Sequence, residues 1–82
     1  MNATTFKWTG DLNDDCSARL SGLLLRAEKM DENHWWWAVY DMNNEKKTID
    51  SSNEYEVIWY SGNQARRAAE QAAQMYLDNN RG

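Results

Sequence analysis

The residues best suited to chemistry in this chain are its single histidine, His34, and its single cysteine, Cys16. An imidazole and a thiol can act as general base and nucleophile when a carboxylate orients the imidazole. Asp31 and Glu32 stand beside His34, but no feature of the spacing brings Cys16 to it. We therefore interpret His34 as a partly exposed polar residue and Cys16 as a small buried apolar one.

A calcium loop is the first metal site that the sequence suggests. Asp11, Asn13 and Asp15 occupy the first three ligand positions of an EF-hand loop. The glycine and the final glutamate that the loop requires are replaced by Cys16 and Gly22, and no helix is predicted before it. The segment is better explained as a polar turn, and we predict no metal site.

Paired carboxylates are the remaining group that could do acid–base chemistry, as they do in glycosidases. A domain of this length offers no deep cleft that would raise a carboxyl pKa, so these pairs are better explained as solvated turns and strand edges. The sequence predicts a protein that is not an enzyme, with no catalytic, cofactor-binding or metal-binding residues. The pairs are Asp14/Asp15, Asp31/Glu32 and Glu54/Glu56.

Length and charge set the limits of the fold and its partners. The 82 residues predict a single domain over 1–82, whose core must come from its ten aromatic residues, five of them Trp. The net charge of −4 disfavours direct binding to nucleic acid or to an anionic membrane. One cysteine and no apolar segment of membrane-spanning length predict a protein of the cytoplasm.

The elements that must position these side chains are strands followed by one helix. Residues 1–15 form an arm or a short strand, 16–60 an antiparallel sheet, and 61–78 a C-terminal helix. The expected fold is therefore α+β, with three or four antiparallel strands and the helix packed on one face. A β-bulge near Gly22 would account for the change of phase within 16–30, although a helix over 17–29 is an alternative there. Residues 54–60 alternate like a strand, which could continue the preceding strand after a kink or form a separate short one.

The C-terminal helix has the clearest signature. Ser61 and Gln64 have the spacing of a capping box, and Arg66 and Glu70 have that of a helical ion pair. An alanine-rich stripe lets such a helix approach a sheet that supplies bulky rings. The stripe consists of Ala65, Ala68, Ala69, Ala72, Ala73 and Tyr76.

The segment HWWWAVYD places its side chains alternately on the two faces of a strand. Trp35, Trp37 and Val39 form the more apolar set, so we predict that they face the helix. The opposite face then carries His34, Trp36, Ala38 and Tyr40.

Three explanations of that opposite face remain open. It could form a homodimer, bind a foreign partner, or be covered by the arm through Phe6 and Trp8. Stacking of single-stranded nucleic acid on the aromatic rings is a fourth, disfavoured by the acidic charge. The predicted partner-binding residues are His34, Trp36, Tyr40, Asp14, Asp15, Asp31, Glu32, Glu54 and Glu56.

The pattern from Trp37 to Leu77 resembles a recurrent type of small phage and prophage protein. In these proteins a Trp-x-Val strand, a hairpin and a strand ending in serine lead into an alanine-rich helix. The resemblance implies a binding protein in the host cytoplasm that inhibits a host defence protein or nucleoprotein by steric occlusion, as anti-CRISPR proteins do. The matching residues are scaffold positions, so no functional residue is implied: Trp37, Val39, Ser61, Ala65, Ala68, Ala69, Ala72 and Ala73.

Overall fold

The computed structural model describes residues 6–79, which form an antiparallel sheet and one long helix. The sheet is a meander in which every strand pairs with its neighbour in sequence, in the order β1-β2-β3-β4-β5. The α+β class, the antiparallel sheet and the C-terminal helix agree with the sequence, but there are five strands instead of three or four. The elements are β1 (Trp8–Asp11), β2 (Asp15–Leu20), β3 (Leu23–Asp31), β4 (His34–Asp41), β5 (Lys47–Ser51), a 3-10 turn (Ser52–Glu54) and α1 (Gly62–Asn79).

The extra strands arise partly because residues 16–30 form a hairpin. Ser21 and Gly22 both have positive φ, 52° and 81°, and Leu20 pairs directly with Leu23 across them. Two consecutive positive φ values are typical of the tight turns whose twist matches that of paired strands. The predicted bulge near Gly22 is therefore wrong, and so is the alternative helix over 17–29.

The N-terminal arm also pairs with the sheet. Trp8 lies opposite Ala18 as the first residue of β1, and its indole N–H donates to a carboxylate oxygen of Glu70 in α1 at 2.7 Å. Phe6 is half-buried and packs against the same core. From Phe6 onward the arm therefore lies on the helix side of the sheet and does not cover the opposite face, while residues 1–5 lie outside the described part.

The core lies between α1 and one face of the sheet. Trp35, Trp37 and Val39 point into it with exposed fractions of 5%, 2% and 0%, which confirms the predicted side of the triple tryptophan. The buried side of the helix is narrower than predicted, because Ala68, Ala72 and Tyr76 are only half-buried. Its fully buried alanines are Ala65, Ala69 and Ala73.

The start of α1 follows the predicted capping box in part. Ser61 Oγ accepts the backbone N–H of Gln64 at 3.2 Å, whereas the Gln64 side chain accepts from the N–H of Tyr60 at 2.8 Å, one residue earlier than expected. The predicted ion pair between Arg66 and Glu70 does not form, since Arg66 donates to a backbone carbonyl of the β1–β2 turn and Glu70 accepts from β1. Both side chains therefore make tertiary contacts.

No helix within the described residues is long and apolar enough to span a membrane.

Candidate functional site

The sheet face opposite the helix is covered by its own long side chains. Ala38 is fully buried there, between Arg26 of β3 and Ser51 of β5. The Arg26 guanidinium lies 5.8 Å from the Trp36 ring centroid, and the Lys46 ammonium lies 5.4 Å from that of Tyr40. Trp36 and Tyr40 are both half-buried. The continuous apolar patch expected on this face is therefore absent from the described residues.

Arg26 also organises the charges on this face. Its guanidinium lies 3.3 Å from a carboxylate oxygen of Asp15 and 3.8 Å from one of Glu28. All three side chains keep substantial contact with water, so each pair contributes only about 0–1 kcal/mol to folding. The pairs nevertheless hold the guanidinium over Trp36, where it shields part of that ring from water.

The exposed apolar surface lies instead on residues 55–60, which connect the 3-10 turn to α1. This segment contributes one isolated bridge to the sheet, at Trp59 opposite Trp35, and forms no separate strand. The side chain of Val57 in this segment is 61% exposed. Ile58 and Tyr60 are 50% and 59% exposed. Each of these side chains is ordinary alone, and their proximity is what makes a surface.

A groove runs between this segment and the first residues of β4. Its two adjoining parts share His34 and Ile58, and they have volumes of about 440 and 420 Å³. Each part is large enough to accept a bulky side chain of a partner. We call it the acidic groove; its apolar surface comes from Met30, Trp36, Val57, Ile58 and Tyr60, and its acidic rim from Asp31, Glu32 and Glu56.

The acidic groove gathers about half of the predicted partner-binding residues. His34, Trp36, Asp31, Glu32 and Glu56 all line it. The others are placed apart from it. Tyr40 lies towards the opposite end of β4, Asp14 and Asp15 lie at the β1–β2 turn, and Glu54 ends the 3-10 turn.

Met30, Val57, Ile58 and Tyr60 are the binding candidates that the sequence reasoning missed. The only sequence signal for Val57, Ile58 and Tyr60 is the density of apolar residues in VIWY, which is equally typical of a buried strand. Their exposure follows from the path of the backbone, which leaves the sheet after Ser51, whereas Met30 is exposed near the end of β3.

Cys16 and His34 do not form a catalytic pair. The Cys16 thiol is 2% exposed and lies 3.7 Å from the Ala27 carbonyl oxygen and 3.9 Å from Arg66. Burial raises the pKa of this thiol above its usual value, and the hydrogen bond from Arg66 only partly opposes that effect. A buried thiol with a raised pKa is a poor nucleophile at neutral pH.

Two tyrosine hydroxyls are held by carboxylates. Tyr55 donates to Asp50 at 2.7 Å and Tyr76 donates to Asp41 at 2.8 Å. In both cases the hydrogen bond to the carboxylate is the main cause that raises the pKa of the phenol. These bonds fix the two rings.

Within residues 6–79, no cluster of three or more His, Cys, Asp or Glu residues is arranged to hold a metal ion.

Comparisons of the chain with protein-family models, with curated proteins and with solved structures found no match.

Proposed function

We propose that the protein is a non-enzymatic binding protein that docks on a basic surface of another protein through the acidic groove. The observation that carries this proposal is the contiguous exposure of Met30, Val57, Ile58 and Tyr60 beside a row of carboxylates. A contiguous apolar patch with a charged rim is typical of an interaction site.

The charge of the groove favours one class of partner. Asp31, Glu32 and Glu56 lie on its rim, and no lysine or arginine among the described residues lines it. A partner that presents an apolar residue flanked by lysine or arginine would match both features and would be steered to the groove. Two copies of this chain meeting through the groove would bring like charges together. The same observation therefore supports a foreign partner over a homodimer.

The resemblance to small phage proteins extends this proposal to the kind of partner. Surfaces that hold DNA or RNA are basic, because they neutralise phosphates. An acidic groove placed over such a surface would occlude it without any chemical step. The proposed target is thus a host defence protein or nucleoprotein, and the proposed activity is anti-CRISPR-like steric inhibition.

Retention of a host protein by immobilised variants tests the proposal. Glu56→Lys reverses a rim charge and Ile58→Ser removes an apolar contact, whereas Glu45→Lys makes the matched charge change in the β4–β5 turn at the other end of the sheet. We expect one host protein to bind the wild type and Glu45→Lys, to bind the two groove variants weakly, and to elute as salt is raised.

Two results would contradict the proposal. If all four proteins retain the same partner equally, the groove is not the binding surface. If the wild type has the mass of a dimer in solution and Ile58→Ser has that of a monomer, the groove joins two copies of the chain.

One observation favours single-stranded nucleic acid as an alternative partner. Trp36 and Tyr40 each have a cation beside the ring, as in aromatic surfaces that stack bases. Arg26 covers Trp36, however, and is held there by Asp15 and Glu28. This alternative predicts salt-sensitive binding of oligonucleotides that quenches tryptophan fluorescence and is weakened by Trp36→Leu. Absence of binding at low salt would eliminate it.

A further inference from the structure

A second cleft lies between α1 and the β4–β5 side of the sheet. It has a volume of about 270 Å³, slightly below the range of about 300–1,000 Å³ typical of sites for drug-sized ligands. It is therefore suited to a small ligand or to the end of a long side chain. We call it the aromatic cleft and define it by Trp37, Asp50, Tyr55, Trp59, Gln71 and Met75.

Three aromatic rings form one side of this cleft. Trp37 and Tyr55 are stacked with their centroids 6.0 Å apart, and Trp59 stands nearly perpendicular to both, with centroids at 5.5 and 6.1 Å. Trp37 is almost fully buried and forms the base, whereas Tyr55 is 47% exposed at the rim. All three rings line the same cavity, and the negative charge of an aromatic face attracts a cation that comes within about 6 Å of it.

Asp50 supplies the only formal charge among the described residues that line the cleft. One of its carboxylate oxygens accepts the backbone N–H of Ser51 at 2.9 Å, and the other accepts the Tyr55 hydroxyl at 2.7 Å. No lysine, arginine or histidine lines the cleft, and Asp50 forms no salt bridge among the described residues. The negative charge is thus fixed in place and not neutralised by a cation.

The kind of cation follows from the hydrogen-bonding groups that remain. A primary ammonium or a guanidinium brings three to five N–H donors that all need acceptors. The two hydrogen bonds to Asp50 leave its carboxylate about two further acceptor sites, and the other side-chain acceptors among the described residues of the cleft are the Gln71 amide and the Tyr55 hydroxyl. A fully methylated ammonium needs no acceptor, buries its methyl groups against aromatic rings, and requires only a nearby negative charge.

We propose that the aromatic cleft binds a trimethylammonium group. The proposal does not rest on the docking function: the cleft shares Tyr55 and Trp59 with the acidic groove, but its carboxylate is Asp50 and its other wall is α1. Trp59 and Tyr55 contact the methyl groups, and Asp50 provides the opposing charge.

Binding of choline, followed through the indole N–H signals of Trp37 and Trp59 by NMR, tests this site. The control ligand is the uncharged isostere of choline, in which a tert-butyl group replaces trimethylammonium. We expect saturable shifts with choline at millimolar concentrations and binding of the isostere that is about tenfold weaker. Equal binding of the two ligands, or the absence of shifts with choline, would overturn the proposal.

Two matched substitutions test whether the charge of Asp50 is part of the site. Asp50→Asn removes the charge but keeps an acceptor, and Asp78→Asn makes the same change near the end of α1. We expect about tenfold weaker choline binding for Asp50→Asn and unchanged binding for Asp78→Asn. Unchanged binding by a folded Asp50→Asn would overturn the role of the carboxylate. If Asp50→Asn does not fold, the comparison of choline with its isostere on the wild type decides.

The trimethylammonium group could belong to a free metabolite or to a methylated lysine of a protein. A short peptide with trimethyllysine and the same peptide with unmodified lysine distinguish these sources. Stronger shifts with the methylated peptide than with choline assign the site to a protein side chain. Shifts with choline and none with either peptide assign it to a small molecule.

Discussion

The backbone N–H of Trp35 donates to the carbonyl oxygen of Trp59 at 2.7 Å, and this bond fastens residues 55–60 to the first part of β4. The pairing of β5 with β4 ends at Ser51, opposite Ala38, and does not reach Trp35. The segment therefore forms a wall with a cavity on each side. The acidic groove lies on one side and the aromatic cleft on the other.

The contact between Trp35 and Gly62 makes a first stability prediction. A methyl group at position 62 would lie 2.9 Å from Trp35 Cη2, closer than carbon atoms normally approach. Overpacking of a core costs about 1–3 kcal/mol, and the better helix propensity of alanine offsets up to about 1 kcal/mol. We expect Gly62→Ala to lower the free energy of unfolding in urea by about 1 kcal/mol, combining these two estimates.

The matched control for that substitution is Asn63→Ala at the next, exposed position of the helix. Its effect should stay within about 0.5 kcal/mol. A Gly62→Ala protein as stable as the wild type would show that the Trp35 ring can move away from the helix.

The hydrogen bond from Trp8 to Glu70 makes a prediction about the edge strand β1. It joins β1 to α1 at 2.7 Å and is partly shielded from water. A hydrogen bond to a charged group contributes about 1.5–3 kcal/mol when buried, so Glu70→Ala should lower the free energy of unfolding by about 1–2 kcal/mol. Glu70→Gln keeps an acceptor and should cost less.

Combining Glu70→Ala with Trp8→Phe tests whether the loss comes from this bond. If it does, the double variant should be less destabilised than the sum of the two single variants. Additive losses would show that each residue acts through other contacts. Glu45→Ala removes one carboxylate from the β4–β5 turn and serves as the control.

The bond between Tyr55 and Asp50 predicts a loss of stability in alkali. The carboxylate raises the pKa of the folded phenol, whereas the phenol of the unfolded chain keeps the ordinary value of 10.0. The contribution of this bond is therefore complete below pH 10.0 and is lost as the pH rises through the higher pKa of the folded state. The hydrogen bond to Asp41 raises the pKa of Tyr76 in the same way, so its contribution to stability is also lost in alkali.

Unfolding measured at several pH values checks this expectation. Tyr55→Phe should lose less stability than the wild type between neutral pH and strongly alkaline pH, because it lacks the phenol. Tyr60→Phe removes an exposed phenol from the same segment and is the control. Identical pH profiles for the wild type and Tyr55→Phe would contradict the role of the bond.

The buried thiol of Cys16 predicts slow alkylation. It is 2% exposed, and burial raises its pKa, so the reactive thiolate is scarce at neutral pH. We expect the native protein to react much more slowly with iodoacetamide than the protein unfolded in urea.

A variant with the thiol moved by one residue gives the comparison in the folded state. Cys16→Ala combined with Ser17→Cys places it on the other face of β2, where position 17 is half-buried. This variant should react faster than the wild type. Equal rates would contradict the burial of the Cys16 thiol in the folded protein.

Local patterns predicted the parts of the fold that depend on periodicity. The alternation of HWWWAVYD identified Trp35, Trp37 and Val39 as the buried set, because successive side chains of a strand must point to opposite faces. The alanine spacing after Ser61 identified the helix and the residues that contact the sheet. The same reasoning failed at 54–60, where an alternating pattern does not form a strand.

Local patterns also predicted only part of the acidic groove. His34, Asp31 and Glu32 are neighbours in sequence, so their shared location at the β3–β4 turn follows from the hairpin. Their approach to Ile58 and Tyr60 does not, because residues far apart in sequence meet there. The turn with positive φ at Ser21 and Gly22 was missed because Ser21 continues the polar alternation of Ser17 and Arg19, which is typical of a strand.

The sequence by itself determined the α+β class, the C-terminal helix and the sides of Trp35, Trp36 and Trp37, since these depend on side-chain periods of two and 3.6 residues. Only the tertiary structure decided that most of the exposed apolar surface lies on residues 55–60. Arg26 covers Trp36 from the neighbouring strand, and the Trp35–Trp59 bond fixes the path of the segment that exposes Val57 and Ile58. Both contacts join residues from different elements, and no local pattern encodes such a contact.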